Sequence, residues 1–172
     1  MEILIPGLIL VGFMVWASTR IKRNAARAFE REEIETPEFS LTKPDGFLAV
    51  AEPAEGLLFS AYSKEFGTGA AEAVRRATAE IVTFPAASFE DAVTRAKGGS
   101  GNTIEEDFGV VNETKYVNLI SEHSLNGVGL LVHTKCYFTG SSAIQLSATC
   151  ISEYSAELGP KIEEMLMSFK IK

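Results

Sequence analysis

The fold is decided by a stretch in the second half of the chain, residues 115–138, which reads KYVNLISEHSLNGVGLLVHTKCYF. Asn126-Gly127 is a strong β-hairpin signal, because the favoured two-residue turn needs positive φ at both positions. Beyond the turn, apolar side chains occupy even positions from Val128 to Phe138, and a period of two is typical of a strand. The stretch therefore predicts two long antiparallel strands joined at residues 126–127.

The alternation continues past this hairpin. Thr139-Gly140-Ser141 predicts a three-residue turn, and apolar side chains return at even positions from Ile144 to Cys150. Antiparallel strands of this kind commonly bury one face and leave the other in water. We therefore predict a three-stranded meander with one buried face.

A closing helix is predicted over residues 155–169. Its apolar residues recur at spacings of three and four, which places them on one side that we expect to pack on the sheet. They are Leu158, Ile162, Met165, Leu166 and Phe169.

Shorter elements precede the hairpin. Alternating or apolar runs predict strands at residues 39–43, 47–50, 57–66 and 108–112. Apolar residues at positions 70, 73, 74, 77 and 81 predict a helix over residues 70–82. Ser88 followed by Asp91 resembles a capping box and predicts a short helix to about Lys97, with a loop at residues 98–101.

An unbroken apolar run opens the chain. Residues 3–19 contain 17 uncharged residues before Arg20, and at 1.5 Å per residue they span about 25 Å, which suits a short transmembrane helix. Gly7 and Gly12 offer small surfaces for contact with a neighbouring helix. The predicted anchor side chains are Ile3, Leu4, Ile5, Leu8, Ile9, Leu10, Val11, Phe13, Met14, Val15 and Trp16.

Basic residues follow the apolar run and predict its orientation. They are expected to lie at the lipid headgroups, and the positive-inside rule then places the N-terminus outside and the rest of the chain in the cytoplasm. A cleaved signal peptide fits less well, because the chain begins with Met1-Glu2 and not with a basic region. A periplasmic domain and a buried core helix remain alternatives. The headgroup residues are Arg20, Lys22, Arg23 and Arg27.

These observations divide the chain into three parts on the inner (cytoplasmic) membrane. Residues 1–19 are the predicted single-pass transmembrane anchor. Residues 20–37 are predicted to be a juxtamembrane helix that acts as a spacer and ends at Thr36-Pro37, since the residue before proline avoids the α region. Residues 38–172 form the globular domain.

Two segments of this domain resemble a known family. Phe39–Phe47, with its Lys-Pro-Asp-Gly-Phe turn, and Ile162–Ile171 resemble the PsbP/Mog1-like superfamily, which includes DcrB-like and LpqN-like bacterial proteins. The resemblance covers roughly residues 38–172. It implies an α+β fold, an α/β/α sandwich around a mainly antiparallel sheet, and a module that works by binding and not by catalysis. None of the family's partner-binding motifs is recognisable, so no site residue is carried over.

Candidate chemistry is sparse. A dinucleotide fingerprint at residues 67–72 fails because Glu72 replaces its third glycine. The hairpin register places His123 opposite position 130 and His133 opposite position 120, so the two imidazoles face opposite sides of the sheet. The acidic run at residues 105–107 is more typical of a solvated loop edge than of a cation site.

Cys136 and Cys150 are too few for a disulfide scaffold or a cysteine-based metal site. The predicted turn places them on the same face, about 20 Å apart at strand rise, which is too far for a bridge. No serine lies in a nucleophile-elbow context. We therefore predict no catalytic residue, no cofactor and no metal.

The net charge of −7 argues against nucleic acid as a partner. The sequence predicts a non-catalytic accessory or scaffold subunit of a larger respiratory or photosynthetic membrane complex, with integral membrane subunits and the lipid bilayer as partners. One alternative is a free-standing, tethered binding module of the cell envelope. Another is a small-ligand carrier or enzyme with a pocket between sheet and helix.

Overall fold

Antiparallel strand pairing organises the chain into two sheets. The computed structural model describes residues 13–20, 27–98 and 101–172. The smaller sheet has the order β1-β2-β10 and the larger one β3-β4-β5-β9-β8-β7-β6. The strands are β1 (Glu32–Glu35), β2 (Phe39–Lys43), β3 (Phe47–Ala49), β4 (Leu57–Ser63), β5 (Ala77–Pro85), β6 (Asn102–Val111), β7 (Thr114–Leu125), β8 (Val128–Phe138), β9 (Ser142–Ile151) and β10 (Lys170–Ile171).

Helices cover both faces of the larger sheet. Helix α1 (Phe89–Lys97) buries Ala92 and Val93 against a cluster that includes Val117 and Cys136. Helix α2 (Ser155–Ser168) lies on the opposite face, where its buried residues pack with Leu146, Ala148 and Cys150. The predicted apolar stripe of the closing helix is confirmed, whereas the prediction of a single buried face for the meander is wrong.

The central hairpin forms as predicted. Asn126 and Gly127 have φ values of 53° and 81°, the positive pair that a tight two-residue turn requires. The register pairs His123 with Leu130 and Ile120 with His133. The two histidines therefore lie on opposite faces of the sheet, as predicted.

The next turn is one residue shorter than predicted. The Thr139 amide donates to the Ser142 carbonyl at 2.8 Å, so only Gly140 and Ser141 form the turn, with Gly140 at φ 95°. A one-residue shift of register moves side chains to the other face. Cys136 therefore lies opposite Gln145 and Cys150 opposite Leu131, and the prediction that both thiols share a face is wrong.

The predicted helix over residues 70–82 is also wrong. Only Gly69–Ala71 forms a short 3-10 turn, and β5 begins at Ala77. Residues 77 and 81 are four positions apart. This separation places two side chains on one side of a helix and equally on one face of a strand. The strand prevails because β5 pairs on one side with β4 and on the other with β9, which buries Ala79 and Ile81 completely.

The predicted spacer helix does not reach Pro37. Glu32–Glu35 pairs instead with β2 as an antiparallel strand. The Thr36 hydroxyl accepts from the Phe39 amide at 3.0 Å, and the Thr36 amide donates to the Phe39 carbonyl at 2.9 Å. Thr36-Pro37 therefore joins two strands, and the folded domain begins before residue 38. The predicted cap of α1 is confirmed, since the Ser88 hydroxyl accepts from the Asp91 amide at 3.1 Å.

Candidate functional site

A cleft of about 220 Å³ lies between α2 and the outer strands of the larger sheet. Residues of β7 and β8 form its floor, and the last turns of α2 form its wall. Two cross-strand rows organise the floor. Glu105, Ile120 and His133 form one row across β6, β7 and β8, and the next row is Asp107, Asn118 and Lys135. The helix contributes Glu163, Leu166 and Met167.

His133 is a deeply buried polar side chain of the cleft, with 8% of its surface exposed. Burial lowers the pKa of this imidazole, and the carboxylates of Glu163 and Glu105 oppose that shift only in part. A neutral imidazole has one donor and one acceptor nitrogen. Within the described part of the chain, the His133 side chain makes no hydrogen bond, so both nitrogens are available to a bound group.

Lys135 closes the cleft at the sheet–helix junction. Its amine donates to the Leu166 carbonyl at 3.0 Å and lies 5.5 Å and 5.3 Å from the ring centroids of Tyr116 and Tyr137. Burial lowers the pKa of Lys135, and the nearby Lys170 lowers it further. The amine therefore hydrogen-bonds to the C-terminal end of α2, where a positive charge also interacts favourably with the helix dipole.

The cleft opens toward the outer edge of β6. This strand ends the larger sheet, and none of the described strands pairs with its outer side. Several of its large apolar side chains are about half exposed or more: Ile104, Phe108, Val110 and Val111. Phe108 also packs edge-on against Phe89 of α1, with 6.0 Å between ring centroids. An open strand edge with exposed apolar side chains can accept another strand.

The acidic run at residues 105–107 lies inside β6 and not in a loop as predicted. A register shift between Thr103 and Glu105 marks a bulge just before it. Glu106 faces α1 and forms an ion pair with Lys97 at 2.9 Å. Glu105 and Asp107 face the cleft, and neither forms an ion pair with any described residue.

Other chemistry is limited among the described residues. They contain no group of three or more histidine, cysteine or acidic side chains placed to hold a metal ion. Both cysteines are free and buried. Burial raises the pKa of Cys136 to about 12 and also raises that of Cys150, which makes each thiol a poor nucleophile at neutral pH.

The predicted anchor lies partly outside the described residues. Residues 13–20 are helical, and Phe13, Met14, Val15 and Trp16 are 55–62% exposed. The Arg20 guanidinium lies 5.2 Å from the Trp16 ring centroid, and Arg27 is exposed. Within the described segments, no helix is both long and apolar enough to cross a membrane. The remaining predicted positions fall outside them: Ile3, Leu4, Ile5, Gly7, Leu8, Ile9, Leu10, Val11, Gly12, Lys22 and Arg23.

Comparisons with known proteins identify the fold but not a family. No family model matches the chain, and no curated protein matches it in sequence. Solved structures do resemble it. LpqN of Mycobacterium tuberculosis, described as involved in cell envelope biogenesis, has 12% identity and a TM-score of 0.61 over 83% of this chain and 91% of its own. Cyanobacterial PsbP of Synechocystis has 11% identity and a TM-score of 0.54 over 83% and 92%.

A Bacteroides thetaiotaomicron protein is also similar, with 19% identity and a TM-score of 0.52 over 82% of this chain. The chain spans about half of that protein, 48% of its length. At these identities the likeness concerns the fold alone. The predicted PsbP-like α+β fold with mainly antiparallel sheets is therefore confirmed.

Proposed function

We propose that the protein is a non-catalytic accessory subunit of a larger respiratory or photosynthetic membrane complex. The N-terminal helix lies in the inner membrane beside integral subunits, with its N-terminus outside, and the PsbP-like domain contacts the cytoplasmic face. The observation that carries this proposal is the exposure of Phe13, Met14, Val15 and Trp16 on the helical segment. Such side chains are stable in lipid or against other helices, and they continue the unbroken apolar run of residues 3–19.

The attachment of the domain to residues 28–31 supports a fixed subunit. The Lys43 amine donates to the carbonyls of Ala28, Glu30 and Phe47. The Gly46 amide donates to the Phe29 carbonyl at 2.7 Å, and Arg31 pairs with Glu164 at 3.0 Å. A segment held by these contacts leaves a short connection between anchor and domain, which favours a domain mounted close to the membrane.

The likeness to LpqN favours a second candidate, a tethered binding module of the cell envelope without a permanent partner. The likeness to cyanobacterial PsbP is in keeping with an accessory role. The cleft beside His133 favours the third alternative, a small-ligand carrier. These candidates differ in whether the protein belongs stoichiometrically to a complex.

The first test is gentle extraction of the full chain with a C-terminal tag. We expect stoichiometric comigration with integral membrane subunits on size exclusion, because the anchor packs beside their helices. Replacing Gly7 and Gly12 together by leucine should reduce the comigrating fraction at least about tenfold, since bulky side chains block close helix approach. Ile9→Leu is the matched control and should leave comigration unchanged. Migration alone, in a single detergent micelle, would exclude the accessory-subunit proposal.

A second test addresses the side of the membrane. Glu55 is exposed, and the two native cysteines are buried. An impermeant maleimide should therefore label Glu55→Cys alone. We expect labelling only after the inner membrane is opened, with the unsubstituted chain unlabelled in both states. Labelling of intact spheroplasts would place the domain outside the cytoplasm and overturn the proposed orientation.

A further inference from the structure

We propose that the outer edge of β6 binds an extended segment of a partner protein by strand addition, and that basic side chains of this segment pair with Glu105 and Asp107 at the mouth of the cleft. The inference rests on the proposed function, because it assumes that the domain works by binding proteins. It adds the surface and the chemistry of the partner segment.

The first step concerns the backbone. β6 spans ten residues, and no described strand pairs with its outer side. Its outward-facing amides and carbonyls can therefore form a ladder with an added strand. Phe108, Val110 and Val111 leave 46–63% of their surfaces exposed on the two faces of this strand. An added strand with apolar side chains at matching positions would cover them.

The second step concerns charge. The three acids of β6 are not equivalent, because Glu106 is paired with Lys97 on the α1 face. Glu105 and Asp107 lie on the α2 face, where Glu163 adds a third carboxylate beside the cleft. Side chains of one strand reach one face at every second residue. A segment with basic residues at alternate positions would therefore meet both Glu105 and Asp107.

The third step concerns the shape of the cleft. Its apolar surface comes from Ile120, Leu166 and Met167, the last of which is 77% exposed. Lysine and arginine combine an aliphatic stem with a cationic tip. From a strand added one spacing of about 4.8 Å outside β6, the tip reaches Glu105 or Asp107, and the stem lies along the sheet toward Ile120.

Two other interpretations of the β6 edge fit less well than strand addition. One is that the edge is protected from pairing, and the other is that it pairs with a second copy of the chain. Charges and a bulge can protect a strand edge from pairing, but here they occupy only the first part of β6 and leave residues 108–111 apolar. A second copy of the chain is disfavoured, because full antiparallel overlap of two β6 strands places Glu106 opposite Asp107. Like charges directly opposite each other destabilise a strand pair.

The test uses the full chain in lipid nanodiscs and fluorescent nine-residue peptides. The first peptide alternates lysine with valine and threonine, and the second has glutamate in place of lysine. We expect the basic peptide to bind and to slow amide hydrogen exchange in residues 102–111. The double substitution Glu105→Lys with Asp107→Lys should weaken binding at least about tenfold, which corresponds to about 1.4 kcal/mol. The matched control reverses two exposed acids elsewhere, Glu52→Lys with Glu55→Lys, and should bind like the unsubstituted chain.

Three results would overturn the proposal. The first is equal binding of the basic and acidic peptides, and the second is equal weakening by both double substitutions. The third is binding without slowed exchange in residues 102–111, which would mean that no strand is added. If any of these results is found while the full chain still comigrates with integral membrane subunits, the accessory function stands, because comigration depends on the anchor, and only the proposed β6 docking surface fails.

Discussion

Replacing Lys43 by methionine is expected to lower the free energy of unfolding by about 3 kcal/mol, because several carbonyls lose their donor together. The Lys43 side chain is completely buried, and its amine donates to the Phe47 carbonyl at 2.8 Å as well as to Ala28 and Glu30. Burial lowers the pKa of this amine, and nearby carboxylates, Glu32 foremost, partly restore it. Methionine keeps most of the aliphatic packing and removes the amine, which is both the donor and a cation 4.0 Å from Glu32.

Urea denaturation of the full chain in mild detergent measures this loss. Circular dichroism is the suitable signal, because the single tryptophan, Trp16, lies in the helical segment and not in the domain. Lys115→Met is the matched control. Lys115 is exposed on β7, and its loss should change stability by less than about 0.5 kcal/mol. Equal stability of the two variants would contradict the role assigned to Lys43.

Trypsin cleavage after Arg27 and Arg31 distinguishes a local release of segment 28–31 from a loss of stability of the whole domain. If Lys43 holds the segment 28–31 on the domain, Lys43→Met should accelerate cleavage at these sites under native conditions, whereas Lys115→Met should not. Unchanged cleavage, combined with a lower free energy of unfolding, would mean that Lys43 supports the core but does not fasten the segment.

Strand alternation accounts for the burial of Lys43 but not for its partners. The strand at residues 39–43 alternates, and its inward positions are Phe39, Leu41 and Lys43. Periodicity alone therefore places the lysine inside. Its three acceptors, however, come from the first residue of β3 and from residues 28–30, for which the sequence predicts a helix. Long-range partners of a buried charge depend on chain packing that local periodicity does not encode.

Local turn chemistry explains which parts of the fold can be predicted from the sequence. Asn126-Gly127 has one favoured geometry, so the register of β7 on β8 follows directly. A turn that contains Gly140 can have more than one length. An error of one residue in the predicted length shifts the register of β9 and places Cys150 on the wrong face. The cleft is harder to predict. Its residues come from β6, β7, β8 and α2, and only the packing of the whole chain brings these elements together. Its one local signal is the pair of polar residues, His133 and Lys135, within a largely apolar strand.

Replacing Phe169 by alanine is expected to lower the free energy of unfolding by about 3–5 kcal/mol, the range for removing a buried phenylalanine. Phe169 is completely buried at the end of α2. Its ring packs edge-on against Phe39 and Tyr137, with centroid distances of 6.1 Å and 5.6 Å. The Tyr137 hydroxyl donates to the Phe169 carbonyl at 3.1 Å. One side chain thus joins the smaller sheet, the larger sheet and the helix.

The same denaturation measurement tests this substitution, with Met167→Ala as the control. Met167 lies two residues earlier and is 77% exposed, so its truncation should cost less than about 0.5 kcal/mol. A loss below about 1 kcal/mol for Phe169→Ala would show that the two sheets do not depend on this contact. Phe169 and Lys43 act on the same small sheet, since β10 pairs with β2. Phe169→Ala should therefore also accelerate trypsin cleavage after Arg31, because weakening β2 weakens the strand that holds the membrane-proximal segment.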